Sequence, residues 1–97
     1  MTSMTEEIDE RDLELNPLVS IVIPTYNSEL YIVQSIDSVL SQDYTNIEIL
    51  VIDDGSNDST GEILKSYGSK IRYFRITNSG AAAARNLGLL NSNGSII

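Results

Sequence analysis

The sequence predicts an α/β domain with a layered parallel sheet, on three observations. Two apolar, β-branched runs, LVSIVI at 18–23 and IEILVI over 47–52, are nearly continuous rather than alternating; strands covered on both faces read this way. Segments with helical periodicity or high helix propensity lie between the strand-like runs. The resulting order is β-α-β-α-β-α-β, and strands that alternate with helices pair in parallel through right-handed crossovers.

The elements follow in order. Residues 1–17 carry six acids against Arg11 and few large apolar side chains, so they are expected to form an acidic, disordered tail. Ile8, Leu13 and Leu15 offer the alternative of a short helix docked on a partner. The domain proper is expected over 18–97. The first strand is predicted at 18–23, ended by Pro24, which has no N–H to give a sheet ladder. Ser28 is the expected N-cap of a helix over 29–41, with Ile32, Val33, Ile36, Val39 and Leu40 as its apolar stripe. After the second strand at 47–52 comes a loop at 53–59, then a helix at 60–67 capped by Asp58 or Ser59, with Ile63 and Leu64 facing inward. Gly68 fits the left-handed residue past its end. IRYFRI at 71–76 reads as a third strand, the Ala-rich 81–90 as a third helix, and residues from Ser95 as the start of a fourth strand. Tyr67, Tyr73 and Phe74 are expected to pack at the core or its edge.

Composition limits the chemistry. The chain has 97 residues, enough for one small domain. It has no cysteine and no histidine, which removes thiolate metal sites, disulfides and histidine-based catalysis. A metal here would need oxygen ligands, as Mg or Mn do. The net charge is −8, and beyond the tail eight acids face five bases, so affinity for a nucleic acid backbone is not expected. No apolar run approaches a membrane span and the N-terminus lacks a signal-peptide pattern. The expected location is the cytoplasm, or the cytoplasmic face of a membrane through regions outside these residues.

In parallel α/β sheets, ligands bind beyond the carboxyl ends of the strands. Three loops fall on that edge: PTYN, DDGSND and TNSG. The first lacks the G-x-G-x-x-G of a dinucleotide fold, and no P-loop pattern occurs. The unusual feature is that the second strand ends on two adjacent acids, Asp53 and Asp54, before Gly55. As residues alone they read equally as a turn or as a site for donors or a metal. Tyr26 reads as a core-edge aromatic or a stacking platform, Asn27 as an Asx turn or a contact, and Arg85 as a solvated helix residue or an anion contact.

VSIVIPTYN at 19–27, SIDSVLSQDY at 35–44, ILVIDDGSNDST at 49–60 and NSGAAAARNLGL at 78–89 stand in the order and spacing of the family 2 glycosyltransferases, which the chain resembles over 18–97. The resemblance implies a GT-A fold and a nucleotide-sugar donor, UDP favoured over GDP or dTDP. It places Pro24, Tyr26 and Asn27 against the base, and matches Asp53 and Asp54 to the family's acid pair, Asp54 favoured as acceptor of the uracil N3–H. Gly55 allows the turn; Asn78, Gly80 and Arg85 match the third motif, with Arg85 beside the diphosphate. It further implies inverting transfer to an acceptor hydroxyl of a glycan or lipid, as in cell-surface polysaccharide synthesis. The family's Asp-x-Asp for Mg or Mn is expected beyond Ile97, and its catalytic base is not matched, so no catalytic or metal residue is assigned. The expectation is a truncated GT-A domain that binds the donor and is inactive alone. The rivals are a non-catalytic nucleotide-binding module and a relic that self-associates through an open sheet edge.

Overall fold

The computed structural model describes residues 17–96. Of the tail expected over 1–17, all but Pro17 lies outside the described residues, as do Ile97 and anything beyond it. The elements are β1 (Val19–Thr25), α1 (Ile32–Leu40), β2 (Ile47–Asp53), α2 (Thr60–Ser66), a 3-10 turn (Gly68–Lys70), β3 (Arg72–Arg75), α3 (Ala81–Asn91) and β4 (Ser95–Ile96). The strands form one sheet in the order β3-β2-β1-β4. Every pairing is parallel, as expected.

The strand order dictates the layers. The chain steps outward from β1 to β2 to β3, then crosses back past β1 to place β4 on its other side. With right-handed crossovers, that reversal puts α1 and α2 on one face and α3 on the other. The core divides accordingly. Ile32, Ile36, Ile49, Val51, Leu64 and Ile71 form one buried cluster, with Tyr67 and Tyr73 against it. Leu50, Ile52 and Ala84 form the second, with Val22, Phe74 and Leu87 against it. Strand β2 feeds both clusters, because successive side chains leave opposite faces of a strand. A continuous apolar run is therefore required there. Each such buried side chain contributes about 1.5–3 kcal/mol of transfer free energy.

Three local expectations change. Strand β1 does not stop at Pro24 but continues through it to Thr25. Val19 donates to Asn46 and Thr25 accepts from Asp54, so the odd positions of β1 bond toward β2. Pro24 therefore points away from β2, and its missing N–H costs no bond in the β1–β2 ladder. The first helix begins at Ile32 without a side-chain cap. The carbonyl of Ser28, not its hydroxyl, accepts the N–H groups of Tyr31 and Ile32, and the hydroxyl donates to Tyr26 O. The stripe on α1 is also narrower than expected: Ile32 and Ile36 are buried, whereas Val33 and Leu40 are exposed. The left-handed Gly68 is present at φ 57°, and Tyr67 donates to Asp37 Oδ1 at 2.8 Å.

A polar knot holds the amino ends of the strands to the end of α3. Glu48 accepts from Ser20 Oγ at 2.6 Å, Asn93 N at 2.6 Å and Arg72 Nη1 at 3.0 Å. Arg72 also donates to Asn91 O, and Gly94 N donates to the fully buried Ser20 Oγ. Burial alone would raise the Glu48 carboxyl, but the bonds from Ser20, Asn93 and Arg72 outweigh it and hold the group below its ordinary 4.5.

A carboxyl whose folded pKa lies below its unfolded one stabilises the fold above the unfolded value, and that contribution is lost as pH falls through the folded pKa. Glu48→Gln should therefore be less stable at neutral pH and lose less stability than the parent as pH drops below about 4.5; denaturant unfolding across pH checks this, and equal pH slopes would contradict it. Helix α3 meets the sheet at Gly88, where an added Cβ would stand 2.3 Å from Val22 Cγ1. Overpacking of this kind costs about 1–3 kcal/mol, against a helix-propensity gain of about 1 kcal/mol. Gly88→Ala should show a net loss in urea unfolding, and a gain would refute the close approach.

Candidate functional site

The acid pair at the end of β2 is where the two layers meet the loops. Ile49 and Val51 belong to the α1–α2 side, Leu50 and Ile52 to the α3 side. Continuing the alternation sends Asp53 to the first side and Asp54 to the second. Their partners agree. Asp53 is fully buried. Its Oδ1 accepts Ser56 N at 2.9 Å, and its Oδ2 accepts both Tyr73 Oη and Arg75 Nη1 at 2.9 Å. Arg75 Nη2 donates to Ser56 O at 2.7 Å. Burial pushes the Tyr73 hydroxyl above its ordinary range; Arg75 pulls it the other way and Asp53 adds to the rise.

Asp54 serves α3. Its Oδ1 accepts Ser79 N at 2.7 Å and its Oδ2 accepts Gly80 N at 2.9 Å. Gly80, at φ 95°, is the N-cap of α3 and offers no side-chain cap of its own. Asp54 supplies that cap from another strand, with its negative charge at the positive end of the helix dipole. Gly55 makes the approach possible. At φ 76° it adopts a left-handed turn, and a Cβ there would come within 3.0 Å of Asn78 N.

Beside this cap lies a cavity of about 280 Å³, lined by Pro24, Thr25, Tyr26, Asp54, Asn78, Ala81 and Ala84. It opens beyond the carboxyl end of β1, next to the point where strand order reverses, which is where open α/β sheets bind ligands. Tyr26 is half-exposed at its wall. Of the residues singled out in the sequence, Pro24, Tyr26, Asp54 and Asn78 are brought together here. Gly55 and Gly80 shape the adjoining turns. Asn27 and Asp53 line no part of the cavity. Asn27, at φ 47°, accepts Asn57 N on its side-chain oxygen at 3.0 Å, and its own N–H reaches Ser56 Oγ at 2.8 Å. Arg85 is exposed one helical turn beyond Ala81 and lies outside the lining.

Sequence reasoning missed Thr25, Ala81 and Ala84 as cavity residues. The alanines had a readable signal: the run Ala81–Ala84 was read only as helix propensity, yet small side chains on a helix also leave room beside it. Among the described residues no group of three or more Asp, Glu, His or Cys side chains could hold a metal. Asp53 and Asp54 leave β2 on opposite faces, so the pair does not converge on a single ion.

Thr25 is 6% exposed, and its Oγ1 is buried without a hydrogen-bond partner among the described residues. An unmet buried hydroxyl costs about 1–3 kcal/mol. Thr25→Val keeps the shape and the strand propensity, so it should raise stability by about 1 kcal/mol. Thermal unfolding tests this, and a loss of stability would show that the hydroxyl is satisfied.

Comparison with known proteins gives the same picture. The sequence model described as glycosyl transferase family 2 matches residues 20–97. An uncharacterized glycosyltransferase of Rickettsia felis is 49% identical over 92 residues, which is 90% of this chain and 15% of that protein. The crystal structure of S. aureus TarS with UDP-GlcNAc superposes with a TM-score of 0.76 at 34% identity, over 81% of this chain and 25% of that one. A mannosyltransferase of Pyrobaculum calidifontis, in complex with GDP-Man and Mn2+, gives 0.69 at 26% identity, over 81% and 25%. The chain thus spans a quarter or less of the length of each of these relatives. No helix among the described residues is long and apolar enough to cross a membrane. With the parallel α/β architecture of GT-A neighbours and a family match over four-fifths of its residues, the chain belongs to glycosyl transferase family 2.

Proposed function

We propose that this chain binds the nucleotide of a nucleotide-sugar donor, UDP in the first instance, for inverting transfer to the hydroxyl of a glycan or lipid acceptor. The observation that carries the reading is the cavity at the carboxyl edge of β1, walled by Pro24, Tyr26, Asp54 and Asn78. Its size and its mixed apolar and polar lining suit a base and ribose. Tyr26 offers an exposed aromatic face for stacking. Asp54 keeps a second lone pair on each oxygen after capping α3, enough to accept a base N–H. A carboxylate already held by two backbone donors is fixed in place before the ligand arrives, which lowers the ordering cost of binding. Arg85, one turn along α3 from the cavity wall, supplies positive charge for the diphosphate. The TarS neighbour, seen with UDP-GlcNAc and with UDP, supports the uridine reading. The neighbour seen with GDP-Man makes guanosine the competing base. Within these residues the chain supplies recognition and orientation of the donor.

UDP at about 100 times its Kd should stabilise the chain by about 2.7 kcal/mol, a rise in Tm of roughly 11–22 °C for a domain of this size. GDP should give a smaller rise, and Asp54→Ala should remove the UDP-dependent shift. No shift with either nucleotide would end the proposal, and an unchanged shift in the variant would remove Asp54 from the contact.

A further inference from the structure

We propose that the two adjacent acids divide their work: Asp54 stands at the nucleotide cavity, whereas Asp53 is a positioning residue that sets the Tyr26 wall through Ser56 and Asn27. The inference rests on the nucleotide-binding reading for its functional part and on geometry for its structural part.

Asp53 has no part in the cavity lining, is fully buried, and has both oxygens bonded to groups behind the wall. Its three bonds go to Ser56 N, Tyr73 Oη and Arg75 Nη1, all at 2.9 Å. The bond to Ser56 is the functional one. It fixes the backbone of a residue that is 3% exposed, and the hydroxyl of that residue accepts Asn27 N at 2.8 Å. Asn27 is the single non-glycine residue with positive φ among the described residues. That conformation is disfavoured for a residue with a Cβ and is held by its surroundings. The surroundings here are Ser56 Oγ on one side and Asn57 N on the other. Tyr26 immediately precedes this turn, so the direction in which it leaves β1 is set by the Asn27 geometry. Arg75 closes the arrangement by bonding both Asp53 Oδ2 and Ser56 O, which fixes the loop that carries Ser56 from two directions.

The relay makes a prediction that a general stabilising role does not. Ser56→Ala keeps the backbone N–H that Asp53 accepts and removes only the acceptor for Asn27. Amide-resolved hydrogen exchange on the full chain should show roughly tenfold faster exchange at Asn27, the equivalent of one lost hydrogen bond, with exchange in the centre of β2 unchanged. The UDP affinity of the same variant should fall by roughly tenfold, and Asp53→Asn should reproduce both changes. Adding Ser56→Ala to Asp53→Asn should cause little further loss, because both act through one chain of bonds. If Ser56→Ala leaves Asn27 exchange and UDP affinity as in the parent, the relay is refuted. If Asp53→Asn weakens UDP while Asn27 exchange stays at the parent level, Asp53 acts on the nucleotide directly and the division of labour is wrong. Should the parent chain fail to bind UDP, the nucleotide reading falls, while exchange at Asn27 still decides whether Asp53 positions that turn.

Discussion

Two carboxylates at consecutive positions of one strand cannot point the same way. That constraint organises the upper edge of this domain. Asp53 leaves β2 on the face covered by α1 and α2, and Asp54 leaves it on the face covered by α3. The first ties down the loops after β1 and β2 with help from Arg75, and the second caps a helix that begins after β3. A single acid would hold one layer and leave the other unattached. Two in sequence connect three loops, and the carboxyl edge of the sheet is assembled from those loops.

The reversal of strand order gives this edge its opening. Because α3 carries the chain from β3 back past β1, it packs across β2 and β1, and its first turn arrives beside the end of β1. Ala81 and Ala84 are small enough to leave space there, and Gly88 lets the same helix settle against Val22 further down. The helix is thus tight on the sheet at one end and open at the other. The knot around Glu48 is the counterpart at the opposite end of the strands, where Ser20, Arg72 and Asn93 converge on one carboxylate.

Most of the fold was legible because it depends on local pattern. The continuous apolar run of β2 implied burial on both faces, and the alternation of strand and helix implied parallel pairing. What was not legible depended on which neighbour a residue faces. Pro24 reads as a strand end unless one knows that its nitrogen points away from β2, with which β1 pairs along its whole length. Ser28 reads as a helix cap, yet its carbonyl does that work. Glu48 sits in a strand-like run with nothing to mark it as the centre of a knot, since its partners are up to 45 residues away in sequence. At the site, the motif identified the acid pair and the flanking loops. It favoured Asp54 over Asp53 as the contact, but the physical difference, one acid on the cavity wall and the other behind it, arises only when the pleat assigns each to a face.

On the proposed function, a nucleotide base occupies the space between Tyr26 and the start of α3, beside Asp54. A crystal structure of the chain soaked with UDP tests it most directly. The uracil ring is expected against Tyr26, with its N3–H within hydrogen-bond reach of Asp54 and with Asp53 still bonded to Ser56 and Arg75. Uracil bound elsewhere, or a direct contact between Asp53 and the nucleotide, would contradict it.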